Sequence, residues 1–153
     1  MSLDFRIVYI FIHIYPENLR SRPAPGRREF EGMYFYNRLY ISPLIRDSEK
    51  VKENLRKEVT QVSIFVIMLI EDPAKRGGDQ LEFCHSINLR QPWYREHPPY
   101  IIGIARGYQD SVEMIRQIVQ ECYDHTGNCN VRDYLFPGGL KFFTNAGSGK
   151  DGE

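Results

Sequence analysis

The longest strongly apolar run of the chain, residues 62–70, constrains the fold more than any other stretch. Its sequence, Val-Ser-Ile-Phe-Val-Ile-Met-Leu-Ile, is rich in β-branched and aromatic residues, which suit a pleated surface. It is too short to cross a bilayer, because a transmembrane helix needs about 20 apolar residues. Both of its alternating rows are apolar, so the run predicts a central strand that is covered on both faces. Pro73 cannot donate to a sheet, so the strand should stop before it.

Length and charge limit the organisation and the partners of the chain. The 153 residues predict one globular domain, residues 1–141, followed by a polar, glycine-rich tail, residues 142–153. The 20 acidic and 20 basic residues give a formal net charge of zero, which argues against nucleic acid and against an anionic membrane as partners. Three cysteines and no signal-like segment predict a reducing, cytoplasmic setting.

Two aromatic segments lie in the first quarter of the chain. Residues 5–15 predict a first strand, and residues 30–41 predict a second strand that bends near Gly32. If these strands pair, their tyrosines share one sheet surface, which is either a protein interface or a face covered by the same chain. The predicted interface residues are Tyr9, Tyr15, Tyr34, Tyr36 and Tyr40. Between the two strands, four arginines in residues 16–29 lack any accompanying RNA-binding motif, so nucleic-acid binding is not favoured.

Two amphipathic helices and several further strands are predicted after residue 41. The first helix begins at Asp47 or Ser48 and runs to Thr60, with apolar residues spaced four apart. The second begins at Asp110, where Glu113 completes a capping box, and ends before a glycine at 127. Residues 80–90 alternate strictly and predict a half-buried strand, and residues 101–105 and 130–136 predict two short strands.

The candidate functional residues follow the central strand. In the alternating segment His85 faces inward, where it is either a packed core histidine or an acid, base or ligand. The loop at residues 91–100 holds the only tryptophan among prolines and charged residues, and Trp93 is either a contact residue or an anchor that pins the loop to the core. At the strand-to-helix turn, Arg106 lies beside helix amides that could bind an anion, although Asp110 competes for the same place. The predicted ligand-binding residues are His85, Trp93, Tyr94, Arg95, His97 and Arg106.

The cysteine spacing does not predict a metal site. Cys122, His125 and Cys129 are close in sequence, but a closed zinc site needs four ligands, and Cys122 lies on the apolar face of the second helix. We therefore expect neither a metal nor a cofactor. No catalytic set of residues is apparent, so the sequence does not decide whether the protein is an enzyme.

These patterns predict an α+β domain with one mixed, mostly antiparallel sheet of five or six strands. Its two amphipathic helices are expected to pack mainly on one face. If the second predicted strand and one of the middle strands are left out, the order of the remaining elements is that of a ferredoxin-like split βαβ unit. The preferred function is a binding or assembly module that contacts a protein partner or a second copy of itself through the tyrosine face or the Trp93 loop. The alternative is a small enzyme or ligand-binding domain for an anionic small molecule at Arg106 and residues 93–97.

Overall fold

The computed structural model describes residues 33–70 and 80–139. In chain order the described elements are β1 (Tyr34–Ile41), α1 (Ser48–Arg56), β2 (Ile64–Leu69), β3 (Leu81–His85), a 3₁₀ helix (Ser86–Arg90), α2 (Pro92–Glu96), β4 (Tyr100–Arg106), α3 (Tyr108–Thr126) and α4 (Val131–Leu135). The predicted first strand with Tyr9 and Tyr15, the arginine-containing loop and the C-terminal tail lie outside the described residues. Within the described residues, none of the helices is long and apolar enough to cross a membrane.

The four described strands form one mixed sheet in the order β1-β4-β2-β3. β2 runs antiparallel to both of its neighbours, whereas β1 runs parallel to β4. The α+β class is therefore confirmed, whereas the predicted five or six strands are not. α1 connects β1 to β2, and these two strands run in opposite directions. A split βαβ unit requires its helix to connect parallel strands, so the described topology is not ferredoxin-like.

β2 lies inside the sheet and is buried on both faces, as its two apolar rows predict. Val66 and Met68 face one core cluster, and Ile67 and Leu69 face the other. The expectation that both long helices share one face is wrong. Leu55 of α1 belongs to the cluster of Val66, while α3 packs into the cluster of Ile67. Since both faces of β2 are apolar, each must be covered, and each helix covers one of them.

Gly103, which lies beside a β-bulge in β4, allows α3 to approach the sheet closely. Ile67 pairs with Gly103, but the next residue of β2 pairs with Ile101, so Ile102 is the extra residue in β4. A Cβ atom added to Gly103 would lie 2.6 Å from Met114 Sδ of α3. Glycine at this position therefore permits the contact between the helix and the central strands.

Three segments differ from the sequence-based expectation, two of them because local hydrogen bonds end or replace a predicted strand. The predicted strand at residues 80–90 stops at His85, whose ring nitrogen accepts a hydrogen bond from Ile87 N at 3.2 Å and thereby begins the 3₁₀ helix. The predicted last strand is α4, which Asn130 caps by accepting from Asp133 N at 3.1 Å. Residues 91–100, expected to be a loop, contain α2.

The starts of the two long helices illustrate where capping can be read from sequence. Asp47 caps α1 by accepting a hydrogen bond from Lys50 N at 2.9 Å, as predicted. The start of α3 is different: Gly107, at φ 88°, is its N-cap, and Asp110 lies inside the first turn. Asp110 Oδ2 instead accepts from Arg106 N at 2.7 Å. The predicted capping box is therefore wrong, because the carboxylate turns back toward the end of β4.

Candidate binding surface around Trp93

The Trp93 side chain lies on the surface, although large aromatic residues are usually buried. It is 58% exposed and sits in the first turn of α2, which Pro92 begins. The next residue, Tyr94, has the opposite role and packs against the core cluster of Val66 and Leu89. Tyr94 therefore holds α2 against the sheet, and Trp93 is free of the anchoring task that the sequence allowed for it.

The indole ring of Trp93 is stacked on the imidazole ring of His97. The ring centroids are 3.6 Å apart and the planes differ by 14°. The residues are four apart, which places them on the same side of a helical turn. His97 N donates to Trp93 O at 2.8 Å, and His97 Nδ1 lies 3.2 Å from the same oxygen. The stack is thus supported by the backbone, and it presents a broad, ordered aromatic surface.

Two arginines, one in α2 and one in the 3₁₀ helix, contact the segment that follows α1. Arg95 Nη2 lies 3.7 Å from Glu58 Oε1. Arg90 of the preceding 3₁₀ helix donates to Glu58 O and to Thr60 Oγ1, the latter at 2.7 Å. Exposed ion pairs contribute about 0–1 kcal/mol to the stability of a protein. The pair of Arg95 with Glu58 therefore serves mainly to orient α2.

A shallow apolar groove lies between the end of α1 and the 3₁₀ helix. Val59 is 49% exposed, and Ile87 is 37% exposed. The groove is lined by Met33, Leu55, Glu58, Val59, Thr60, Ser86, Ile87, Leu89 and Arg90. The sequence patterns do not predict this groove, because alternation puts Ile87 on an inward strand row and helical spacing puts Val59 on the apolar stripe of a longer helix. The early end of α1 and the 3₁₀ helix expose both residues.

His85 lies apart from the Trp93–His97 stack and has local structural contacts. Its ring meets Phe65 edge-on, with 5.1 Å between centroids. Its Nδ1 atom accepts the hydrogen bond from Ile87 N, so the structure places His85 in a packed and hydrogen-bonded position at the end of β3.

Arg106 is the last residue of β4, whereas Tyr100, three residues after His97, is the first. Arg106 Nη1 donates to Leu44 O at 3.5 Å. The carboxylate of Asp110 occupies the adjacent helix start, which leaves less room for an anion there.

The three described tyrosines of the predicted interface face helices and aromatic residues of the same chain. Tyr36 is 9% exposed and packs edge-on against Phe136, with centroids 5.2 Å apart. Tyr40 donates to Glu121 Oε2 of α3 at 2.8 Å. Tyr34 is 37% exposed and stacks on Tyr100. The described part of the tyrosine face is therefore largely covered, and Tyr34 is its most exposed member.

The three described cysteines are free thiols, and the surroundings of two of them, Cys84 and Cys122, disfavour the thiolate. Burial, together with the Glu82 carboxylate, raises the pKa of the Cys84 thiol to about 12. Burial also raises the pKa of Cys122, whose Sγ donates to Asn128 O at 3.3 Å. Within residues 33–70 and 80–139, no three His, Cys, Asp or Glu side chains come together as metal ligands.

Comparison of the chain with protein-family models, with curated proteins and with solved structures gives no match.

Proposed function

We propose that this protein is a binding module and that the Trp93–His97 stack is its principal contact with a protein partner. The observation that carries the proposal is the exposure of the only tryptophan, 58%, in a side chain that its neighbours nevertheless hold in place. Tryptophan is among the residues most enriched at the energetic centres of protein interfaces. An exposed tryptophan with no core-packing task is best explained by such a contact.

Ordering of the stack before binding supports the proposal. Immobilising a flexible side chain at an interface costs about 0.5–1.5 kcal/mol. Trp93 avoids much of this cost, because the His97 ring and the α2 backbone already fix its position. The packing of Tyr94 against the core holds the helix itself. A partner would therefore meet a rigid aromatic surface.

The neighbouring groove supports a protein or peptide as the partner rather than a small polar molecule. Val59 and Ile87 offer apolar contacts, and Arg95 links α2 to the end of α1 that carries Val59. Interfaces of this kind combine an aromatic anchor with apolar area and a polar rim. The charged side chains of α2, Arg95 and Glu96, would form part of that rim.

Site-specific photo-cross-linking tests the proposal. A photoreactive phenylalanine analogue is placed at position 96 in one variant and, as a control, at position 123 in another, so that Trp93 and His97 stay in place. Glu96 and Tyr123 are both exposed helical residues, so the two positions are similar in accessibility. In extracts of the source cells we expect a discrete cross-linked product from position 96 and none from position 123. Identical products from both positions, or no product from position 96, would contradict the proposed contact.

A further inference from the structure

β3 is the outermost strand of the described sheet, and the phase of its hydrogen bonds to β2 is known. Ile70 N donates to Gln80 O at 3.0 Å, so this pair is hydrogen-bonded. In an antiparallel ladder, hydrogen-bonded pairs alternate with pairs that are not hydrogen-bonded. The register therefore directs the N–H and C=O groups of alternate β3 residues away from β2, and these residues are Leu81, Phe83 and His85. No described group bonds to these outward backbone atoms.

The same residues carry a half-exposed aromatic cluster on the α3 face of the sheet. Phe83 meets Tyr108 edge-on at 5.5 Å and lies 6.3 Å from Phe65, measured between ring centroids. Phe65 in turn meets His85 at 5.1 Å. Tyr108 is 42% exposed, and the other three are half-buried. Unpaired backbone groups and aromatic side chains therefore lie together along one edge.

β3 lacks most of the features that keep sheet edges from pairing. Natural edge strands are protected by lysine, proline, bulges or very short length. Residues 81–85 contain no proline and no lysine, and their pairing with β2 is regular. The one charged residue, Glu82, lies on the row opposite to the aromatic cluster. Among the residues that the structure describes, shortness is the single protective feature of β3.

We infer that β3 is a self-association edge and that its partner is β3 of a second copy of this chain. In antiparallel pairing about a two-fold axis at Phe83, this residue lies opposite its own counterpart, and Leu81 lies opposite His85. Each of these pairs consists of residues with outward N–H and C=O groups, so all of them can exchange hydrogen bonds. The two sheets would then form one continuous sheet, and the two aromatic clusters would merge on one face.

The pairing is self-complementary, which a two-fold dimer requires. With Phe83 on the axis, Glu82 lies opposite Cys84, so no like charges are directly opposed. Aromatic residues that face each other across strands stabilise a sheet by about 0.2–1 kcal/mol per pair. The short strand limits the buried area, so the expected dimer is weak and depends on concentration. This contact uses the β3 edge and does not depend on the proposed role of Trp93.

Two measurements on the full chain test the inference without any substitution. Light scattering should give a mass that rises with concentration from the 18.0 kDa of one chain toward twice that value. Amide hydrogen exchange should show that protection of the Phe83 N–H rises over the same concentration range. A mass of one chain at all concentrations would overturn the inference, as would a dimer in which the Phe83 amide exchanges without protection. Protection of the Phe83 N–H without a change in mass would show that another segment of the same chain covers the β3 edge. That result would also overturn the inference.

A matched pair of variants tests the role of the outward backbone donor. His85 has φ −63°, which proline adopts without strain, so His85→Pro removes the outward N–H and retains the backbone path. His85→Ala removes the same imidazole and the same bond to Ile87 but retains the N–H. We expect the dimer dissociation constant to rise roughly tenfold or more for His85→Pro relative to His85→Ala, because two interchain donors are lost. Equal dissociation constants in two folded variants would contradict the pairing.

Discussion

At the scale of single residues, surroundings decide which side chains are available for chemistry. The alternation of residues 80–90 predicts that Cys84 lies on the outward row of a strand, yet the structure packs it, like Tyr94, against the core cluster of Val66 and Leu89. His85, expected inward, ends the same strand half-buried. Sequence alternation fixed the relative sides of these two neighbours correctly. It could not show that the side of Cys84 is covered as well, because that cover comes in part from α2, a helix that the prolines of that segment concealed.

Cysteine alkylation tests the surroundings of the thiols. Burial raises the pKa of both Cys84 and Cys122, so little reactive thiolate forms near neutral pH. We expect iodoacetamide at pH 8 to modify both residues at least tenfold more slowly in the native protein than in urea, as followed by mass spectrometry of peptides. Equal rates at Cys84 in the native and unfolded states would show that its thiol is accessible and ionisable.

Tyr40 provides a pH-dependent contribution to stability whose sign follows from its pKa. Burial and the hydrogen bond to Glu121 raise this pKa above the ordinary value of 10.0. The contribution is therefore complete below pH 10 and is lost as the pH rises further, because the phenol then ionises more readily in the unfolded chain. Tyr40→Phe should cost about 1 kcal/mol at pH 8. Urea unfolding should show that the difference in stability between the two proteins narrows above pH 10. A difference that stays constant with pH would contradict a raised pKa of Tyr40.

At the scale of secondary structure, long periodic segments are predictable and short ones are not. α3 and β2 appear where the sequence predicts them, because many residues of each repeat the same pattern. The 3₁₀ helix and α4 have five residues each, and single hydrogen bonds to His85 and Asn130 determine where they begin. Such segments fit a strand pattern equally well. The bulge at Ile102 also leaves no trace in the apolar pattern.

Gly103 tests the close packing of α3 on the bulged strand. A methyl group at this position would lie 2.6 Å from Met114 Sδ, so the flexible Met114 side chain must move aside, and Gly103→Ala should lower the free energy of unfolding by about 1 kcal/mol. Met114→Ala in the same chain should remove much of the clash, so that the double variant is less destabilised than the sum of the single changes. Additive changes in chemical denaturation would show that the two residues do not contact each other.

At the scale of the whole molecule, the apolar character of both faces of β2 organises the fold. The sequence correctly requires two covers, but it does not say which element supplies each. α1, the 3₁₀ helix and α2 share one face, and α3 and α4 share the other. Placing α2 against the first face also brings Trp93 to the surface beside His97. The site could be predicted as a set of residues in a loop, whereas its exposure and the stacking of its rings depend on this tertiary placement.

The accessibility of Trp93 tests the central claim most directly. Because the protein has one tryptophan, its fluorescence reports this side chain alone. Acrylamide should readily quench the tryptophan fluorescence of the isolated protein, in keeping with an exposed indole. The partner captured by cross-linking at position 96 should reduce the quenching constant severalfold. His97→Ala should leave the indole accessible to acrylamide and should weaken the binding of the partner. An indole shielded from acrylamide in the isolated protein, or quenching that the partner leaves unchanged, would contradict a contact centred on Trp93.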